Sequence, residues 1–400
     1  MSALFPFRAL RPDPAAAPRV ASVPYDVVNT EEARELSSGN PLSFLHVTRS
    51  EIDLPADTGP YDTSVYEQAV ASFEALKRDA PFVIDEEPSL YAYRLRMGAH
   101  EQTGLAGCFS VDEYDRGLIK KHEKTRKDKE DDRTRHITEL RAQTGLVFLT
   151  YRASAPVNAV MRRATSAAPL YDLVAPDGVA HTVWRIGGAD RDALVEAFGR
   201  LDSLYIADGH HRAASAARVR HTVHGAEAAR FVAVAFPDNE MQVLPYNRTV
   251  RDLAGQTPDS LLAKLRDVCA VSAGGPSPSR QGEVSMFLGG TWYKLVLPAP
   301  TSGASRADGL DVEILQQRVL EPLLGIGDPR VDKRIDFVGG IRGPAELERL
   351  VNSRRAAVAF SMFPVSVADL MAIADAGDIM PPKSTWFEPK LRDGLIVHLI

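Results

Sequence analysis

Asp208-Gly209-His210-His211-Arg212 sets five consecutive residues with chemical potential where an apolar run, Tyr205-Ile206-Ala207, gives way to an alanine-rich stretch. Asp-Gly is a turn signal and alanine favours helix, so the segment reads as strand, turn and helix. The first N–H groups of a helix lack intrahelical partners and lie at the positive end of its dipole, so such a turn attracts anions. Gly209 lets the backbone approach a phosphate closely. Arg212 offers a bidentate fork, and His210 and His211 offer donors. Asp208 could hold a magnesium ion or orient a hydroxyl. The plainer reading is a helix cap with two surface histidines. Zinc is disfavoured, because no third and fourth ligands stand at a suitable spacing.

A second cluster runs from Lys120 to His136. These 17 residues contain no apolar side chain; eight are Lys or Arg and five are Asp or Glu, a local net of +3. If the segment is helical, His122, Arg126, Lys129 and Arg133 share one stripe. Glu123 with Lys127, and Arg126 with Glu130, would then be spaced as ion pairs. A solvated, salt-bridged helix is the plain interpretation. The functional one is a positive wall for phosphates, with one carboxylate left to act as a base. A third cluster, Pro382-Lys383-Ser384-Thr385-Trp386-Phe387-Glu388-Pro389-Lys390, lacks the upstream glycines of a P-loop. Lys383, Ser384 and Thr385 could still face an anion, or the segment is a loop pinned by Trp386 and Phe387. Phe337 to Gly343, with Arg342, is a weaker anion-site candidate. Tyr25-Asp26 and Asn247-Arg248 rank lowest.

The elements that must position these groups follow from periodicity and turn chemistry. Residues 20–28 read as a short strand and turn, followed by a helix capped by Asn29 or Thr30. Ser64–Lys77 has helical spacing of Val65, Ala69, Phe73 and Leu76. Residues 90–97 and 104–111 read as a hairpin, and 146–151 and 231–237 as further strands. Ile137 and Leu140 restore periodicity after the charged run, so a helix continues there. Leu310–Leu324 reads as a helix ending at Gly325. Strands at 335–340 and 357–363 bracket a helix that starts at Pro344, and a short helix is expected near 366–374. Alternating strands and helices indicate a mixed α/β protein.

Length and composition narrow the class. Four hundred residues predict two or three packed units. Forty-seven basic against 53 acidic residues give a net charge of −6, which makes nucleic acid an unlikely partner. Cys108 and Cys269 are the only cysteines, so a structural zinc cluster is nearly excluded and a reduced, cytoplasmic chain is expected. No signal peptide or 18-residue apolar span is seen, so no membrane role is expected.

The chain resembles, end to end, a bacterial and archaeal family known as domain of unknown function 1015, often labelled ParB-like or SpoOJ/ParA/ParB/repB. The matching blocks are Pro24-Tyr25-Asp26-Val27-Val28, Asn40-Pro41 with Ser43-Phe44, and His122-Glu123 with Thr125-Arg126. Lys129-Glu130 with Asp131 and Arg133, Ile206 through Arg212, and Pro382-Lys383-Ser384-Thr385 complete them. Residues of about 103–236 also resemble the ParB/sulfiredoxin superfamily, which includes free-serine kinases. That resemblance implies that Glu123 is the base at a substrate hydroxyl and that Asp208–Arg212 cradles nucleotide phosphates. The charged extension and the long terminal regions depart from those kinases, and no helix-turn-helix is evident.

The resulting expectation is a ParB/sulfiredoxin-like core with N- and C-terminal α/β extensions, divided as 1–100, 101–255 and 256–400. Its function would be phosphorylation of a small hydroxylated metabolite, foremost free L-serine, from ATP or ADP with Mg2+. Glu123 and Asp208 would be catalytic, with Asp208 a possible magnesium ligand. Gly209, His210, His211, Arg212, His122, Arg126, Arg133, Lys383, Ser384 and Thr385 would bind nucleotide phosphates. The alternatives are a non-catalytic, ParB-like nucleotide-binding regulator and a nucleotidase or phosphatase.

Overall fold

The computed structural model describes residues 3–400, and the fold is mixed α/β. The chain forms two compact units. The first comprises the residues up to Lys121, Thr125–Met241 and Pro389–Ile400; the second comprises His122–Lys124 and Gln242–Glu388. This division differs from three consecutive segments, because strands from residues 1–100 are built into the same sheet as those of 101–237.

The sheet of the first unit has nine strands. In chain order they are β1 (Leu4–Phe5), β2 (Leu90–Met97), β3 (His100–Ser110), β4 (Ile119–Lys120) and β5 (Val147–Tyr151). They continue with β6 (Tyr171–Val174), β7 (Ala180–Ile186), β8 (Leu204–Asp208) and β9 (Arg230–Pro237). The spatial order is β4-β8-β5-β9-β3-β2-β7-β6, with β1 beside β3. β8 is parallel to β4 and antiparallel to β5, while β5 and β9 are parallel. β5 is buried along its whole length, and β9 beyond its first residue. Strands covered on both faces need such continuous apolar runs. β2 and β3 form the expected hairpin.

Three helices of this unit matter for the site: α1 (Thr63–Asp79), α2 (Lys127–Leu140) and α3 (His210–Val219). Ala213, Ala214, Ala216 and Ala217 of α3 join the sheet core around Leu149, Ile206 and Phe231. Alanines there bring the helix backbone close to the sheet. α2 carries the charged run, yet it is not a solvated helix. Asp132, His136, Ile137 and Leu140 are buried, a spacing that lies on one helical face. The Tyr66 hydroxyl of α1 donates to Asp132 at 2.9 Å, and Ser215 of α3 donates to the Glu130 carbonyl at 3.2 Å.

Two local expectations change. Residues 20–28 form no strand: Ser22 makes one bridge with Asp393, and Tyr25–Val27 is a 3-10 turn after Pro24. α2 starts at Lys127 because Arg126 is extended, with φ −99° and ψ 131°. His122 and Arg126 therefore lie outside the helix, and only Lys129 and Arg133 of the expected stripe are on it. The ion pairs shift as well. Lys127 pairs with Asp131 and Arg126 with Asp128, while Glu130 meets Thr125 and Arg218.

The second unit holds a six-stranded antiparallel sheet. Its strands are β10 (Tyr246–Val250), β11 (Ala270–Ala273), β12 (Glu283–Leu288), β13 (Thr291–Val296), β14 (Ile335–Gly339) and β15 (Val358–Ser361). The order is β11-β13-β12-β15-β10-β14. The helix Gly343–Asn352 sets Leu347 against Phe287, Val338 and Ala359. The helical stretch Asp311–Leu324 is interrupted by a π-helical turn at Gln316–Leu320 and stops at Gly325, whose φ is +66°. Among the described residues, no helix is long and apolar enough to cross a membrane.

Candidate functional site

β8 delivers Asp208 to the C-terminal end of a buried strand. Its register against β5 shifts between Ile206 and Asp208, and such irregularities re-aim side chains. Gly209 then adopts φ +89° and ψ 31°, and α3 begins at His210. A Cβ on residue 209 would approach the Arg212 guanidinium carbon to 3.1 Å. Glycine is favoured by the left-handed backbone, and a side chain at 209 would press on the Arg212 guanidinium.

Asp208 is heavily engaged. Its Oδ1 accepts the Gly209 N–H at 2.8 Å, and its Oδ2 lies 3.1 Å from Lys390 Nζ and 3.7 Å from Arg212. Burial opposes its charge, but Lys390 and Arg212 outweigh burial and hold the carboxyl well below the usual range. This does not fit a resident magnesium ligand, which would have to displace the Lys390 ammonium from the same oxygen.

Arg212 is engaged within the fold as well. Its side chain is only 7% exposed; Nη1 donates to the Leu146 carbonyl, and Nη2 lies 3.2 Å from Asp26 Oδ2. Burial works against the guanidinium charge, but Asp26 and Asp208 more than compensate and raise its pKa. The fork expected to clamp a phosphate thus ties Asp26, Leu146 and α3 together.

His210 and His211 occupy the first turn of α3, with His210 buried and His211 half-buried. Nε2 of His211 accepts the Arg126 N–H at 3.0 Å, so its neutral form carries the proton on Nδ1. The Arg126 side chain is 58% exposed and paired with Asp128. Arg133 is half-buried, lies 4.3 Å from the Tyr25 ring and pairs with Asp132 at 2.9 Å. It shares with Tyr25, His136, Gly145, Arg212 and Asp393 the wall of a cavity of about 30 Å³. That volume suits a water or two, not a nucleotide. Asp393 is 1% exposed, and among the described residues neither carboxylate oxygen has a hydrogen-bond partner. Burial, partly offset by Arg212, pushes its carboxyl up to about 7.

His122, Glu123, Lys383, Ser384 and Thr385 belong to the second unit. There the His122 carbonyl accepts the Met380 N–H at 2.8 Å. Lys383 has φ +58°, and its ammonium lies 5.7 Å from the Tyr246 ring centre. The Ser384 hydroxyl is buried and donates to the Pro381 carbonyl at 2.6 Å. The structure thus assembles Asp208–Arg212 with Arg126 in the first unit. Asp26, Lys390 and Asp393 join that assembly without having been chosen as site residues. Tyr25-Asp26 and Lys390 each stood in a polar cluster; nothing marked Asp393.

A strand, a left-handed glycine and a helix start, with an ionised aspartate behind them, thus stand together in a mixed α/β fold. A family model described as "Protein of unknown function (DUF1015)" matches residues 4–313, and the chain belongs to that family. No curated protein matches the chain. Among solved structures the chain is similar to SbnI with a C-terminal truncation from Staphylococcus aureus, with TM-score 0.40 and 11% identity over 73% of this chain and 86% of that one. It is similar to a free serine kinase variant in complex with ADP, with TM-score 0.35 and 12% identity over 72% and 92%. A conserved hypothetical protein from Pyrococcus furiosus gives TM-score 0.36 and 13% identity over 74% and 95%.

Proposed function

We propose that the chain is a nucleotide-dependent phosphotransferase acting on the hydroxyl of a small metabolite, foremost free L-serine, with ATP or ADP as donor. The observation that carries this reading is the turn itself: Gly209 at φ +89° opens α3 with two histidines in its first turn. Backbone N–H groups at a helix start suit phosphate oxygens. Asp208 keeps Lys390 oriented at the strand end, 3.1 Å away. So strongly acidic a carboxyl is a poor proton acceptor, and the base is assigned to Glu123 on the motif resemblance. In the proposed step the acceptor hydroxyl oxygen bonds to the terminal phosphorus, the bond to the leaving phosphate oxygen breaks, and the hydroxyl proton passes to Glu123. Mg2+ would accompany the nucleotide phosphates rather than reside on Asp208.

The test is a donor screen of ATP and ADP against serine, homoserine, threonine and sugar acids, with products identified by phosphorus NMR. A phosphomonoester of one acceptor, formed in proportion to the nucleotide consumed, supports the reading. Nucleotide binding without turnover would replace it with a regulator, and inorganic phosphate alone with a hydrolase.

A further inference from the structure

Arg248 stands on β10 of the second unit and is 3% exposed. Its Nη1 donates to the Tyr246 carbonyl. No other hydrogen bond and no ion pair is made by this guanidinium among the described residues. A buried cation without a carboxylate is rare, because desolvation is costly. Here burial pulls the arginine down to about 10. The residue forms part of the wall of a cavity of about 380 Å³, within the size range of small-molecule sites.

The rest of that wall has the character of a ligand site. Ile335 and Phe337 of β14 supply apolar surface, and the Phe337 ring centre lies 5.5 Å from the Arg248 guanidinium. Gln316 and Gln317 line the opening from the π-helical turn, an irregularity frequent at functional sites. Gln316 is held by bonds of 2.7 and 2.8 Å to the carbonyls of Ile326 and Gly327. Glu313 and Glu321 also line the cavity, and the nearby Asp328 is paired with Arg330 at 2.7 Å. Two arginines against three carboxylates leave the lining one negative charge in excess. That balance repels a polyphosphate and tolerates a single carboxylate placed on Arg248.

We propose that this cavity is a second small-molecule site, independent of the phosphate turn, and that it takes a small, singly charged organic carboxylate whose oxygens meet the Arg248 guanidinium. Arginine is suited to this, since its fork matches a carboxylate in one plane.

Isothermal titration calorimetry on the full chain tests the proposal with propionate, benzoate, L-alanine and inorganic phosphate as probes. At least one carboxylate should bind with 1:1 stoichiometry and a dissociation constant below about 1 mM. Arg248→Met should weaken that binding by roughly 10- to 100-fold, and nucleotide binding should stay unchanged. Arg248→Lys keeps the charge but loses the planar fork, so it should weaken binding to a lesser degree; it decides the matter if the methionine variant does not fold. No carboxylate binding, undiminished binding in the folded variants, or binding of phosphate in place of the carboxylates would each overturn the proposal.

Discussion

Two arginines, one in each unit, are buried to nearly the same extent and solve the problem of burial in opposite ways. Arg212 sits between Asp26 and Asp208, and its charge is reinforced. Arg248 has a backbone carbonyl and an aromatic ring for company, and its charge is weakened. A buried cation balanced by the chain's own carboxylates is part of the frame. One left unbalanced at a cavity wall is available to an outside anion. Arg212, expected from sequence to meet a ligand, is thus also held by the chain's own carboxylates, whereas Arg248, ranked lowest, has none among the described residues.

The strongest way to break this contrast is to remove each charge at constant bulk. Arg212→Met leaves Asp26 and Asp208 beside an apolar side chain, and should cost about 3–5 kcal/mol in urea unfolding. Arg248→Met removes an unbalanced charge and should cost about 1 kcal/mol or less, or even stabilise the chain. Equal losses in the two variants would refute the distinction.

Asp393 sharpens the same contrast through pH. Raised to about 7, it keeps its proton in the fold while the unfolded chain releases it near 3.9. Its favourable contribution is therefore complete below about pH 4 and is lost as pH rises through 7. His136 and His181 act in the other direction: burial holds both near 3, so stability falls as pH drops below about 6.5. Asp393→Asn should be more stable than the parent at pH 8, by on the order of 1–4 kcal/mol. The two should converge near pH 4, where Asp393 is protonated. A difference independent of pH would show that Asp393 is not the titrating group. Gly209→Ala comes next in size: the left-handed backbone alone should cost about 1–2 kcal/mol, read as a lowered melting temperature with nucleotide affinity lowered in parallel.

The local frame of the site was legible in the sequence, and its partners were not. Residues 203–220 announce strand, turn and helix because apolar run, Asp-Gly and alanines follow one another within a few residues. The helix over Lys127–Leu140 was visible only through Ile137 and Leu140. Its buried Asp132 and His136 look like surface residues until Tyr66 and the Val47 carbonyl are brought to them. Asp26 and Lys390 reach Arg212 and Asp208 across 186 and 182 positions of chain, a pairing set by topology and by no local pattern. Strands β6 and β7 escaped notice because polar residues such as Asp172, His181, Thr182 and Arg185 interrupt their apolar pattern.

If Glu123 is the base in phosphoryl transfer, Glu123→Gln keeps the size of the side chain and removes the proton acceptor. Turnover of the acceptor identified by the donor screen should fall by roughly 10²- to 10⁴-fold, with melting temperature and nucleotide affinity close to the parent's. Near-parental turnover in the folded variant would rule Glu123 out as the base.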